Sequence, residues 1–294
     1  MKFDWIQQHV DEFDVRAMCR VLDVSRAGYY ARLERPASAR AKANEVLDTH
    51  ISKVFEDSRE TYGSPRVFES LKKQGVVCGL NRIARRMRKK ALISVRRRKF
   101  RPQTTDSNHD LPIADNLLDR EFTATEPNQR WVGDITYIWT SQGWLYLAVI
   151  IDLFGRRVVG WATSSSPTAE LACRALEMAV ARRGKPKDLV YHSDRGSQYA
   201  SARFREALAS FRITPSMSRK GNCYDNAVAE SFFDTLKVEL IHRYKLANRA
   251  VARMLLIDYI EEFYNTNRIH STLGYFSPAE YEKLMASPSK NGVH

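Results

Sequence analysis

Cysteine is scarce in this chain, and its distribution excludes two kinds of scaffold. Cys19, Cys78, Cys173 and Cys223 are the only four among 294 residues, and each lies fifty or more positions from the next. Such spacing makes neither a zinc knuckle nor a disulfide framework, so we expect a reducing compartment and no structural zinc. Long apolar runs are missing too. The longest, Trp144 to Ile151, has eight residues, far below the ~20 of a membrane helix. The start, Met1-Lys-Phe-Asp-Trp-Ile, lacks the charged-then-apolar order of a signal peptide. Repeats and low-complexity tracts are absent. The expectation is a cytoplasmic protein with no membrane role.

Acidic residues are unevenly missing. Residues 1–101 hold 24 Lys+Arg against 12 Asp+Glu, a net of +12; residues 102–294 hold 23 against 22, a net of +1. Nearly all of the overall +13 therefore sits in the first third. A basic module joined to a near-neutral one suggests a segment that binds a polyanion. The densest part, residues 82–101, has 11 Lys or Arg in 20 positions and no acid. Like charges so crowded repel one another, and phosphates would relieve the repulsion with a strong salt dependence. Arg82, Arg85, Arg86, Arg88, Lys89, Arg96, Arg97 and Arg98 are accordingly candidate DNA contacts. Sequence does not sort them into base readers and phosphate clamps.

The first third reads as helices. Asp14 can cap a helix through Val15, Met18, Cys19 and Leu22, and after Asp23-Val-Ser25 a second helix carries Arg26, Tyr29, Tyr30, Arg32 and Arg35. That order fits a helix-turn-helix and equally an ordinary helical hairpin. A second group follows. After a helix over about 43–56, Ser64 can cap and Pro65 open a helix that Gly75 ends, and Asn81 can cap a third with Ile83, Ala84 and Met87 inward. We assign 1–38 to a helical segment, 39–101 to a basic DNA-binding domain, 102–128 to a linker, 129–265 to the main core domain, and 266–294 to a C-terminal extension and tail. Within the linker, Asn116 to Phe122 is apolar enough to dock on a neighbour.

The core alternates strands and helices in the order of an α/β domain. Strands are expected at 131–140, 144–151, 157–162, 189–193 and about 212–217, with helices near 168–182, 201–210, from Asn226 onward, and 248–264. Two strands carry one carboxylate each: Asp134 in Trp131-Val-Gly-Asp-Ile-Thr-Tyr-Ile-Trp139, and Asp194 just past Val190-Tyr-His-Ser193. An aspartate there gains no packing, and its desolvation is costly unless it is hydrogen-bonded, paired or metal-bound. Glu230 lies on an amphipathic helix whose buried stripe is Ala229, Phe232, Phe233, Leu236 and Leu240; Glu230, Asp234 and Lys237 share another band. Phosphoryl transfer to DNA needs an activated attacking group and a charge-absorbing leaving site, which two Mg²⁺ or Mn²⁺ ions held by such acids would supply. Lys237, two turns beyond Glu230, would contact the DNA end beside them. His192 either touches substrate or is a satisfied strand-end histidine. In the loop before the helix, Lys220 is a candidate DNA contact, and Asn222, Tyr224 and Asn226 either meet DNA or cap the helix. Asp152 reads as structural, and His270 as a packing or capping residue.

The spacing of the three acids, sixty residues from Asp134 to Asp194 and thirty-five between Asp194 and Glu230, resembles the catalytic triad of retroviral-integrase-type transposases. The words Trp131-Val-Gly-Asp-Ile-Thr-Tyr, His192-Ser-Asp-Arg-Gly-Ser-Gln-Tyr, Asn222-Cys-Tyr-Asp-Asn-Ala and Glu230-Ser-Phe-Phe-Asp-Thr-Leu-Lys are similar to the second-frame product (OrfB) of the bacterial "insertion sequence three" family. Tyr62-Gly-Ser-Pro-Arg66 and Arg268-Ile-His-Ser-Thr-Leu-Gly-Tyr fit it as well, so the resemblance spans nearly the whole chain. It implies a ribonuclease-H-like core, a mixed five-stranded sheet with flanking helices, preceded by all-α helix-turn-helix modules. It also implies Asp134, Asp194 and Glu230 as metal ligands, and DNA cleavage followed by strand transfer without a covalent intermediate. Partners would be the element's terminal repeats, target DNA, further copies of the chain, and the upstream-frame product (OrfA) as fusion or companion. A nuclease that only hydrolyses, and a DNA-binding regulator with an inert core, are the competing readings.

Overall fold

The computed structural model describes residues 1–36, 38–95, 111–119, 121–219 and 226–286. Arg96, Arg97, Arg98, Lys220, Asn222 and Tyr224 lie outside the described residues. The chain opens with three short helices, α1 (Lys2–Gln8), α2 (Val15–Val21) and α3 (Arg26–Glu34), around Ile6, Met18, Cys19 and Tyr29. The expected caps form: Asp14 accepts from the Ala17 amide at 3.0 Å, and Ser25 from the Gly28 amide at 3.0 Å.

A larger helical unit follows, made of α4 (Ala39–Asp57), α5 (Ser64–Lys73) and α6 (Leu80–Lys89). Its core includes Ile51, Phe55, Val67, Leu71, Ile83 and Met87. Two expected caps are corrected here. Gly63 and Gly79 hold the N-cap positions, leaving Ser64 and Asn81 as helical residues. Pro65 tolerates its place in the first turn because the amide it lacks is one that a helix start leaves unpaired anyway. Gly75, at φ +77°, makes the turn out of α5 that residues with a Cβ seldom adopt.

The second half is built on one mixed sheet of order β3-β2-β1-β4-β5: β1 (Arg130–Thr140), β2 (Gly143–Asp152), β3 (Val158–Ser164), β4 (Val190–Ser193) and β5 (Thr214–Met217). The first three strands are antiparallel, and β4 and β5 run parallel to β1. On one face, α7 (Ala169–Arg183), α8 (Ser197–Ala200) and α9 (Ala202–Ser210) cover Trp131, Ala148, Ile150 and Tyr191. The other face packs under α10 (Ala227–Glu239) and α11 (Arg249–Ile257), which a π-helical stretch, Asp258–Tyr264, continues. A last helix, α12, spans Pro278–Ala286. This is the ribonuclease-H-like architecture, a mixed five-stranded sheet with flanking helices, that the family resemblance implied.

The linker docks as its apolar content suggested. Leu118 is fully covered within the core beneath α10, and the Leu117 amide donates to Ser216 Oγ at 2.9 Å. The segment after Tyr264 bends back onto the helical unit, where Ile269 joins the core of α4–α6 and its amide donates to the Tyr62 hydroxyl at 2.8 Å. Below this seam a buried pair joins Arg268 to Glu239 at 2.7 Å, and the Tyr259 hydroxyl donates to the same carboxylate at 2.8 Å.

Candidate active site

Strand register sets the site. β1 pairs with β4 only as far as Val132 opposite His192. Continuing that parallel register by two residues brings Asp134 level with Asp194, just where β4 has ended and the edge of β1 is free of a partner strand. Side-chain alternation keeps both on the same side. Gly133 is required beside Asp134, because a Cβ there would meet the Tyr191 hydroxyl at 1.7 Å. The Asp194 carboxylate is fixed within its own turn, accepting from the Gly196 amide at 2.9 Å; Asp134 accepts from the Ile135 amide at 2.7 Å.

The third acid arrives on α10. Ala229, Phe232, Phe233 and Leu236 anchor this helix in the core against Val132 and Ile138, which leaves Glu230 exposed in its first turn. The three carboxylates act on one another. Burial raises the Asp134 pKa well above the usual carboxylate range, and the neighbouring Asp194 and Glu230 charges push it further, against the Ile135 amide and Lys237. Glu230 reaches solvent but is partly desolvated against the sheet, which raises its pKa, with Asp234 and Asp194 adding to the shift. Among the described residues no three His, Cys, Asp or Glu side chains stand close enough together to hold a single ion. The acids are thus electrostatic neighbours that do not share one donor set.

Lys237 reaches back to β1. Its ammonium lies 5.5 Å from the centre of the Tyr137 ring, and burial lowers its pKa, against the Asp234 and Asp134 charges. Sequence reasoning placed it near the acids but missed this aromatic neighbour. It also missed Tyr191 and Tyr199, buried beneath the site with pKa values raised by burial and by the fields of Asp134 and Asp194. Tyr191 lies on the neighbouring strand and Tyr199 on α8, so neither leaves a periodic signal in β1.

Other expected site residues fall elsewhere. His192 is fully buried, its ring nitrogens 2.9 Å from Ser216 Oγ and 3.1 Å from Ser218 Oγ. It ties β4 to β5 and presents no edge to a ligand, the satisfied-histidine alternative. Asn226 occupies the N-cap of α10 but is buried, makes no side-chain cap bond, and its Oδ1 has no partner among the described residues. Asp152 is structural: fully buried, it accepts from the Asn128 and Phe154 amides at 2.9 and 3.1 Å. His270 packs edge-on to Tyr264 at 5.0 Å, and burial with Arg268, Arg66 and Arg156 lowers its pKa to about 2. On α6 the cations divide. Arg82 donates to Asn44 at 2.8 Å and Arg86 clasps Asp48, whereas Arg85, Arg88 and Lys89 are exposed.

A sheet of this order with paired acids at the β1–β4 edge, joined to a basic helical unit, defines an integrase-type polynucleotidyl transferase core with a DNA-binding module. Family profiles agree: "Integrase core domain" matches residues 124–223 and again 211–278, and "HTH-like domain" matches 42–100. The transposase InsF of insertion sequence IS3A from Escherichia coli (strain K12) is 44% identical over 96% of this chain and 98% of its own length. An uncharacterized 31 kDa protein of insertion element IS600 from Shigella sonnei is 44% identical over 90% of this chain and 97% of its own. The chain belongs to the IS3 family of insertion-sequence transposases. Its DNA partner follows from that membership. A simian T-cell lymphotropic virus intasome is similar to this chain at 21% identity and a TM-score of 0.48, covering 78% of this chain and 77% of that one. No helix among the described residues is long and apolar enough to cross a membrane.

Proposed function

We propose that this chain cleaves DNA at the ends of a bacterial insertion sequence and transfers the freed strands to a target. In this reading Asp134, Asp194 and Glu230 are the catalytic acids and hold divalent cations, Mg²⁺ or Mn²⁺, in a pair. Hard oxygen donors suit such ions, and desolvation raises both Asp134 and Glu230, with neighbouring carboxylates pushing each further. When bound, the pair polarises the phosphate and stabilises the attacking and leaving oxygens. The chain's own residues orient and exclude. Asp194 is fixed by the Gly196 amide, α10 brings Glu230 to the β1 edge, and Lys237 sets a positive charge beside the acids to hold the DNA end.

The segment 39–101 acts as the DNA-binding domain, with Arg85, Arg88 and Lys89 meeting phosphates, and Arg96, Arg97, Arg98 and Lys220 are further DNA contacts in this reading. The ribonuclease-H-like unit, 129–265, does the chemistry; 1–38, the linker 102–128 and the extension 266–294 position it. Two element ends must be joined, so the working form is a multimer on DNA at the nucleoid, with the upstream-frame product as fusion or partner.

The observation that carries this is the mutual electrostatic action of three acids from β1, the end of β4 and α10. Labelled element-end DNA incubated with the chain and Mn²⁺ tests it. Glu230→Gln should abolish nicking and strand transfer, at least ~10³-fold by the scale of electrostatic catalysis, while retaining binding. A mutant that still transfers strands would refute the assignment.

A further inference from the structure

The β1–β2 hairpin carries a cluster of exposed rings that neither the three acids nor the basic helices use. Trp139 is 59% exposed and Trp144 42%, although burial of either would be favourable. They face each other across the hairpin as a register pair, ring centres 4.9 Å apart and inclined at 73°. Trp144 also meets Tyr137 edge-on, at 5.0 Å and 87°. Three rings thus form one stepped surface on the sheet edge, and it is continuous with the site. Tyr137 lies three residues from Asp134, so alternation turns the rings to the opposite face of β1, and Lys237, which feels the Asp134 charge, bridges round the open strand edge to the Tyr137 ring. At ~3.3 Å per residue, the rings extend from ~10 to ~17 Å beyond Asp134.

The electrostatic surroundings indicate what such a surface takes. Residues 135–151 hold no charged side chain at all, and residues 240–257 hold four Lys or Arg with no Asp or Glu. The second segment packs against the hairpin: the Ser141 amide donates to the Leu246 carbonyl at 2.9 Å, and Arg249 Nε donates to the Trp144 carbonyl at 3.0 Å. On the facing helix Asp234 lies one turn before Lys237, and Glu239, two residues after it, is buried against Arg268. Flat aromatic faces flanked by cations suit stacked bases with their phosphates alongside. Within duplex DNA the base faces are covered, so the rings can stack only on unpaired or terminal bases.

We infer that Tyr137, Trp139 and Trp144 form a stacking platform for unpaired bases of the DNA strand whose phosphate lies at the acids. The distance along β1 corresponds to about three to five base steps of ~3.4 Å. This deepens the proposed function and rests on it for where the strand runs. The platform positions substrate and takes no part in bond making.

The test uses the full chain in EDTA, so that binding is read whether or not the acids perform chemistry. Two element-end duplexes are compared, one blunt and one with a five-nucleotide unpaired 3′ overhang carrying 2-aminopurine. Both replaced side chains are solvent-facing, so the double variant Trp139→Ala, Trp144→Ala should keep its fold, which circular dichroism checks. The expected result is about a tenfold or greater loss of affinity for the overhang substrate. Blunt-end affinity should change less than about threefold, and quenching of 2-aminopurine should be lost. Restoration by Trp139→Tyr, Trp144→Tyr is expected, since stacking needs a ring and not an indole. Equal losses on both substrates, or unchanged quenching, would overturn the inference. Loss of self-association with overhang preference intact would instead assign the rings to a protein contact. Normal stacking alongside an active Glu230→Gln would sink the catalytic assignment and leave the platform standing.

Discussion

Replacing Asp134 by Asn should stabilise the metal-free protein and weaken the protein in Mn²⁺, a crossing that depends on the acids being neighbours. In the folded chain Asp134 feels two like charges, Asp194 and Glu230, and one opposing charge, Lys237. At an effective dielectric of ~20, two unit charges ~8 Å apart interact by ~2 kcal/mol before salt screening. Subtracting the lysine and allowing for screening leaves a net repulsion of ~1 kcal/mol. The Asn side chain removes that charge and still offers an oxygen to the Ile135 amide, so the hydrogen bond from that amide is kept. The sign with pH follows from the direction of the shift. Asp134 titrates above its unfolded value of 3.8, so between that value and the folded one the native state holds more protons. Stability therefore falls as pH rises through this window, and the penalty is complete above it.

At pH 8 in EDTA, differential scanning calorimetry should place the variant's midpoint ~2–4 °C above the wild type for ~1 kcal/mol. Saturating Mn²⁺ reverses the order: at about a hundred times the dissociation constant a bound ion stabilises the wild type by ~2.7 kcal/mol. The variant, with a donor removed, should gain less. A variant less stable than wild type in EDTA, combined with an equal gain in Mn²⁺, would refute the convergence of the acids.

Protonation of His270 should make the protein acid-labile: its folded pKa of about 2 lies below the unfolded value of 6.5, so stability is lost as pH falls below 6.5. The loss by pH 5 is ~2 kcal/mol, and His270→Gln should flatten the urea midpoint between pH 7 and 5; an unchanged slope would show the ring to be solvated. Cutting the buried pair on one side, Arg268→Met or Glu239→Gln, should cost ~3–5 kcal/mol because the remaining charge is stranded; a loss below ~1 kcal/mol in chemical denaturation would contradict that. Charge reversal at Arg85, Arg88 and Lys89 should weaken DNA binding and reduce the slope of log K against log salt by ~0.9 for each phosphate no longer neutralised. Arg86→Glu should instead lower stability through repulsion with Asp48, and an unchanged salt slope in the triple variant would remove this face from the DNA interface.

Much of the core was legible because its signals are local. Alternation in Trp131–Trp139 marks a strand, the apolar stripe of α10 marks which side of that helix is free, and a lone carboxylate in each strand is conspicuous where packing offers it nothing. Caps were legible where a side chain makes the bond, as at Asp14 and Ser25, and misread where a glycine backbone holds the position, as before Ser64 and Asn81. His192 could not be resolved from its position two residues before Asp194. Its burial depends on Ser216 and Ser218, which belong to the next strand and the residue just past it. Arg82 and Arg86 looked like their exposed neighbours because only the packing of α6 on α4 reveals Asn44 and Asp48 beside them.

The order of strands, the family and the three candidate acids are written in the amino-acid sequence, since periodicity, charge and short motifs depend on residues near one another in the chain. Tertiary structure alone decided the rest. It set Asp134 level with Asp194 through the β1–β4 register and joined Ile269 to Tyr62, 207 positions away. It also buried Arg268 against Glu239 and left Trp139 and Trp144 uncovered near Lys237. These are matters of which surfaces meet, and contacts between remote segments leave no periodic trace in either one.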